Sequence, residues 1–304
     1  MNTLEQAFRK IVERITFFVS VAQTNNSAIS LEDLLGLMPT GQVKNVSELE
    51  HIIKEFLSGS ICTDGGYAFR CGASDLVEKT RLTKLESAEK IRQTKSFVEL
   101  HMKLFENTLI VAIAGSTSYG SANKNDDVDI FLVAKNGSLW STLFKILIYI
   151  RVRRLLRIGR ESIPNLCFSV VYTKRGFEEL LRGKPDPLTA RELINLKPII
   201  GEEELGWYLT HTAWIRDYYP RFNPTQDSKS PSNASSAQLA DTLLGQLVGG
   251  YLNMVGKFRN TLFRLQGRMQ DVFRVIYSRD GLVYESQRYV KLRARYREFF
   301  KANR

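Results

Sequence analysis

Residues 113 to 133 read Ile113-Ala114-Gly115-Ser116-Thr117-Ser118-Tyr119-Gly120-Ser121-Ala122-Asn123-Lys124-Asn125-Asp126-Asp127-Val128-Asp129-Ile130-Phe131-Leu132-Val133. An apolar strand runs into Gly115-Ser116, where a residue without a side chain lets backbone N–H groups approach an anion and a hydroxyl adds a donor. Gly120 permits a sharp return, and a short polar loop leads to a second apolar strand headed by two carboxylates. Alternate side chains of an extended strand share a face, so Asp127 and Asp129 point one way while Val128 and Ile130 point the other. Paired carboxylate oxygens suit Mg²⁺ or Mn²⁺, hard cations that bridge protein carboxylates to phosphate oxygens. Lys124 stands in the loop, placed to meet a phosphate or to remain a solvated lysine. Tyr119 is read as a base-stacking ring or, at least equally, as filling for the loop.

Outward from this stretch, Thr108 to Ala114 and Asn165 to Thr173 read as buried strands, and Leu139 to Arg157 as a basic amphipathic helix between the two acidic residues and the second of those strands. Residues 76 to 106 read as one long lead-in helix with Leu82, Leu85, Ile91, Phe97, Val98, Leu100 and Leu104 turned inward. Upstream, Leu4, Phe8, Ile11, Ile15 and Phe18 recur at helical spacing. Ser30 and Ser47 each precede a carboxylate at the spacing of a capping box. Ile61 to Arg70 then reads as a hairpin turning at Gly65-Gly66. Three helices and a hairpin predict a winged-helix-like unit over residues 1 to 75. Its third helix exposes Glu48, Glu50 and Glu55 against Lys54 alone, which would repel phosphate and argues against duplex DNA as a partner.

Downstream of 176 the pattern is helical, broken at Pro185, Pro187, Pro198 and Gly201, with a linker at 221 to 238 rich in Pro, Ser and Asn. Helices are predicted over 239 to 277 and 284 to 302. Gly245, Gly249, Gly250 and Gly256 in the first would admit a closely packed partner helix. The 304 residues, 43% hydrophobic and 25% charged, therefore divide into 1–75, a central domain 76–175 with a mixed β-sheet and helices, and a helical 176–304. The expected class is α+β/α/β mixed.

The net charge of +11 favours a polyanionic partner. The excess gathers after residue 110, above all in Arg151, Arg153, Arg154, Arg157 and Arg160. Arg151, Arg154 and Arg157 recur on one helix face, with Ile150, Leu155 and Ile158 buried elsewhere, and offer RNA or another polyanionic acceptor a surface. No segment is apolar enough to span a membrane and no secretory signal opens the chain, so a cytoplasmic location is expected. Cys62, Cys71 and Cys167 form no C-x-x-C pair, and the histidines stand far apart, giving little support to a zinc site or a disulfide framework. Trp140, Trp214 and His211 read as structural.

The order of apolar strand, Gly-Ser, a glycine several residues on, and Asp-x-Asp at the head of a second apolar strand resembles the DNA polymerase beta-type nucleotidyltransferase superfamily. More loosely, Leu166-Cys167, Ala190-Arg191-Glu192-Leu193 with Pro198-Ile199, and Trp214 near Tyr219-Pro220 are similar to a prokaryotic branch of nucleotidyltransferase-domain proteins. The resemblance implies Asp127 and Asp129 as catalytic metal ligands for Mg²⁺ or Mn²⁺, and Gly115 and Ser116 as contacts to an NTP; the reading of the loop itself adds Gly120 and Lys124 to the nucleotide-binding set. It also implies transfer of a nucleoside monophosphate to an RNA, protein or small-molecule acceptor. The superfamily usually adds a third carboxylate from a neighbouring strand. Asn165 to Tyr172 has none; Asn165 or Ser169 lies near that position, and Glu192 or Asp126 is left to substitute. The alternative is a nucleotide-binding regulatory or nucleic-acid-associated protein without turnover.

Overall fold

The computed structural model describes residues 3 to 156, 164 to 223 and 238 to 303. The chain opens with α1 (Thr3–Thr24), whose Ile11, Ile15 and Phe18 are buried. It continues through β1 (Ile29–Ser30), α2 (Leu31–Gly36), α3 (Val46–Phe56), β2 (Ile61–Asp64) and β3 (Tyr67–Arg70), the strands forming an antiparallel sheet of order β1-β3-β2. Ser30 caps α2 as expected, its side chain accepting from the Asp33 N–H. At α3 the cap is Asn45 instead of Ser47: Asn45 holds extended backbone and its Oδ1 accepts from Glu48 N at 2.9 Å, which leaves Ser47 inside the first turn.

Two expectations for this region need correction. Cys62 and Cys71 are joined in a disulfide, Cα to Cα 5.0 Å. The hairpin register sets Cys62 opposite Phe69, so Cys71 lies diagonally across, a proximity that spacing alone did not disclose. The long helix is α4 (Asp75–Leu100), followed by a 3₁₀ turn at Met102–Phe105. Phe97 and Val98 are buried, whereas Leu82, Leu85 and Leu100 face outward. Its inner face carries hydroxyls that serve neighbouring backbone: Thr80 Oγ1 accepts from Ala28 N at 2.8 Å and Ser87 Oγ from Ala122 N at 3.1 Å. Polar groups so satisfied are buried at little cost, which an apolar periodicity cannot foresee.

The rest of the chain builds one mixed six-stranded sheet. In chain order its elements are β4 (Thr108–Ala114), α5 (Gly115–Ser118), β5 (Val128–Ala134), α6 (Leu139–Leu155), β6 (Leu166–Thr173), α7 (Lys174–Arg182) and α8 (Pro187–Ile194). They continue with β7 (Lys197–Ile200), α9 (Glu202–Thr210), α10 (Ala213–Tyr218), α11 (Gln238–Leu265), β8 (Phe273–Ser278), β9 (Gly281–Ser286) and α12 (Gln287–Ala302). The strand order is β7-β4-β5-β6-β9-β8, with β5 and β6 parallel and every other pair antiparallel. The part of the chain from 176 to 304 is therefore not purely helical. It supplies three of these strands, and what reads as helix over 239 to 277 ends at Leu265. The close approach its glycines permit is to α6 and β8: a Cβ on Gly245 would lie 2.8 Å from Trp140, and one on Gly249 2.4 Å from Tyr277.

The two faces of the sheet bury different layers. Val111, Ile113, Val128, Ile130 and Leu132 pack with Trp140, Leu143 and Ile146 of α6 and Val248 of α11. Ala112, Ala114, Phe131 and Val133 belong to a larger core with α8, α9, α12 and the N-terminal helices. α1 is tied into that second layer: Phe17 stacks on Phe299 at 4.1 Å between centroids, and Arg14 donates to Leu37 O and Tyr218 O. Most of the linker at 221 to 238, together with Arg157, Ile158 and Arg160, lies outside the described residues. No described helix is long and apolar enough to cross a membrane.

Candidate functional site

β4 ends at Ala114, opposite Asp129 on β5, and the chain turns at once into the short helix α5. Gly115 makes the turn with φ +60, and a Cβ there would stand 2.2 Å from Asp129 Oδ2. Backbone conformation and close approach both demand glycine at this point. The loop that follows is braced from two sides. Ser121 N donates to Ser116 O at 2.9 Å, and α4 contributes Ser87 to Ala122 and the Lys90 ammonium to the Asp126 carbonyl. Gly120 turns with φ +72 against Lys84, serving the return of the chain.

Asp129 belongs to the strand and Asp127 precedes it. Val128 and Ile130 enter the α6 core, so Asp129 faces the opposite layer, as strand parity requires. Removal from solvent lifts the Asp129 carboxyl above its ordinary range. Hydrogen bonds with Ser169 and Cys167 oppose the rise, and the charges of Asp127 and Asp126 add to it. Asp127 is about a third exposed; Asn165 Nδ2 donates to its Oδ1, and Arg259 of α11 lies 3.9 Å from its Oδ2. The register pairs Asp129 with Cys167. The neighbouring-strand position thus holds Asn165, Cys167 and Ser169, none a carboxylate. Burial, with the two aspartates nearby, pushes the Cys167 thiol up to about 12, leaving it an uncharged neighbour.

Of the two substitute acids, Asp126 is spent on the loop, its Oδ2 accepting from Asn123 N at 2.7 Å. Glu192 reaches the site from α8. Tyr119 Oη donates to its Oε1 at 3.1 Å, and both line one cavity of about 760 Å³ with Gly115, Ser116, Asp129 and Arg191. Withdrawal from water raises the Glu192 carboxyl to about 7; the Tyr119 hydrogen bond and the Arg191 charge pull it down, and the Asp129 charge pushes it up.

The remaining residues singled out by sequence fall elsewhere. Lys124 is exposed and does not line the cavity. Arg151 donates to Tyr251 Oη at 3.0 Å, and Arg154 donates to Asn165 Oδ1 at 3.1 Å, so Arg154 reaches Asp127 through one asparagine. Leu155 is exposed, contrary to the expected burial, because α6 ends there beyond the sheet. Trp140 and Trp214 are structural anchors, their indole N–H groups donating to Arg279 O and Leu181 O. Arg259, and the meeting of Tyr119 with Glu192 across 73 residues, carried no signal in the sequence.

Among the described residues no three His, Cys, Asp or Glu side chains form a ready metal cluster. Asp129, set against the bare Gly115 backbone, and Asp127, near enough for its charge to act on Asp129, could offer oxygen donors of the kind a hard divalent cation takes together with phosphate and water. No family model matches this chain, and neither a curated protein nor a solved structure matches it.

Proposed function

We propose that the protein is a metal-dependent nucleotidyltransferase, moving a nucleoside monophosphate from an NTP to an acceptor with release of pyrophosphate. The observation that carries this reading is the packing of Asp129 against the bare backbone of Gly115, with Asp127 two residues earlier, just ahead of the strand. Bound Mg²⁺ or Mn²⁺ would supply positive charge for the phosphate oxygens of an in-line displacement. The Gly115 and Ser116 backbone, with the Ser116 hydroxyl, would hold the triphosphate. Glu192, which titrates near 7 beside Asp129, suits the part of base toward an acceptor hydroxyl at neutral pH. The N-terminal helices and sheet fit a winged-helix-like unit whose use here is to wall the cavity, through residues such as Phe18, Ser30 and Asp33.

The test is incubation of the full chain with each labelled NTP, Mg²⁺ or Mn²⁺, and RNA, protein and small-molecule acceptors, beside Asp127→Ala plus Asp129→Ala. Label transferred by the native chain and lost in the double variant supports the proposal; equal labelling by both refutes it. A second reading, nucleotide binding without turnover, is favoured by the absence of an acid from Asn165, Cys167 and Ser169. Metal-dependent NTP binding by calorimetry with no product from the same acceptors would select it.

A further inference from the structure

Arg191 is a guanidinium held in the interior without an acceptor. It lies over the Phe18 ring at 5.1 Å and over the Tyr119 ring at 5.4 Å. Contacts with ring faces are electrostatic and use up none of the five N–H donors of a guanidinium. None of those donors meets a hydrogen-bond or ion-pair partner among the described residues, and Nη1 is closed off from solvent as well. The other lining arginines are occupied: Arg221 donates to Met38 O, Pro39 O and Val43 O, and Arg288 to Asn25 Oδ1. A buried charge whose donors are unspent is costly unless something pairs with it.

Burial opposes the Arg191 charge, and Tyr296, Tyr119, Tyr219 and Glu192 around it outweigh that penalty and hold it charged. Arg14 stands close enough that the two cations disfavour one another, and burial with that repulsion brings Arg14 down to about 10. Glu192 is the nearby carboxylate, and it is held at about 7, so it balances the pair only in part. The cluster of Arg14, Arg191 and Glu192 therefore carries a positive surplus at neutral pH. It borders a cavity of about 760 Å³, a volume typical of small-molecule sites. Gly115, Ser116 and Asp129 line the same cavity.

We propose that Arg191 is the anion-recognition residue for the acceptor, a small molecule that carries a carboxylate or phosphate and presents its reacting group toward Glu192 and Asp129. The assignment of the molecule as an acceptor rests on the nucleotidyltransferase reading; the anion site itself does not. Arg191 lines a cavity of small-molecule size, and that volume is what points to a compact ligand. A forked guanidinium matches the two oxygens of a carboxylate or phosphate, and a lysine ammonium at the same place lacks that fork.

The experiment is calorimetric titration of the full chain in EDTA with inorganic phosphate and, separately, with succinate. It compares the native protein, Arg191→Lys, and Asp127→Asn plus Asp129→Asn. Saturable binding of either probe to the native chain and to the double aspartate variant, weakened at least tenfold in Arg191→Lys with an unchanged circular dichroism spectrum, is the expected result. The probe that binds tells phosphate from carboxylate. No saturable binding of either, or equal binding by Arg191→Lys, overturns the proposal. Should Arg191→Lys misfold, hydrogen exchange on the native chain decides. Protection of residues 187–194 by the bound probe supports the site, and protection absent there overturns it. Binding that survives while no nucleotide is transferred would refute the catalytic reading alone.

Discussion

Replacing Glu192 by glutamine should change how stability depends on pH. The native carboxyl is raised from its ordinary 4.5 to about 7, chiefly by withdrawal from water. Between those values the unfolded chain ionises Glu192 while the folded protein keeps it protonated, so the folded state holds the extra proton and loses stability as pH rises. At about 1.4 kcal/mol for each pH unit, the loss reaches about 3 kcal/mol above pH 7 and is absent well below pH 4.5. Glutamine keeps an oxygen for the Tyr119 hydroxyl, which donates to Glu192 at 3.1 Å. It carries no titrating proton. Urea unfolding of both proteins at pH 5 and pH 8 isolates the effect, because Asp129, also raised by burial, is present in each. The difference between them should shift in favour of Glu192→Gln by about 2 to 3 kcal/mol across that interval. A constant offset would refute the claim that withdrawal from water raises the Glu192 carboxyl.

Gly115→Ala should lose about 1 to 3 kcal/mol from the positive φ alone, and should displace Asp129, whose Oδ2 lies 2.2 Å from the added Cβ; Mn²⁺ titration with retained native-like affinity would contradict this. Asn165→Ala removes the donor to Asp127 and the acceptor of Arg154. By the usual cost of losing a group that orients a ligand, Mn²⁺ affinity should fall roughly 10- to 100-fold with little change in melting temperature, and unchanged affinity would show that Asp127 needs no support. Reducing Cys62–Cys71, which closes a separation of nine residues, should cost about 2 to 3 kcal/mol by the loop-closure argument; denaturation with and without reductant measures it, and coincident curves would dismiss the bond as a stabilising link.

The central strands were legible because each periodicity served one purpose: β4 is wholly buried and reads as continuous apolar sequence, and β5 alternates only at Asp129. β7 was hidden by Pro198, read as a helix break. It is an edge strand, where a missing N–H costs no ladder bond. β8 and β9 were absorbed into predicted helices although Asp280-Gly281, flanked by alternating apolar residues, is a hairpin signal that could have found them. In the site, the two aspartates and Gly115 were readable from local spacing. Glu192, though named as a candidate, could be preferred over Asp126 only once α8 was seen to bring it to Tyr119. Arg259 reaches Asp127 from α11 across 132 residues, a separation over which local patterning has no reach.

That difference in origin matters for how the two aspartates act. Asp129 is fixed by the ladder: Val128 and Ile130 fill the α6 core, and a one-residue slip of β5 would bury a carboxylate among Leu143 and Ile146. Its orientation is therefore as stable as the sheet. Asp127 lies ahead of the ladder and depends on side chains, Asn165 from one flank and Arg259 from the other. An arginine beside an unliganded carboxylate offsets its charge and must yield when a cation takes that place. Arg259 is about half exposed and anchored by ring contacts with Phe263 and Phe273, so it can turn away without disturbing the core. The structure thus pairs one carboxylate held by the fold with one held by replaceable contacts, and under the proposed metal-dependent reaction it is Asp127 whose surroundings would rearrange to admit a cation.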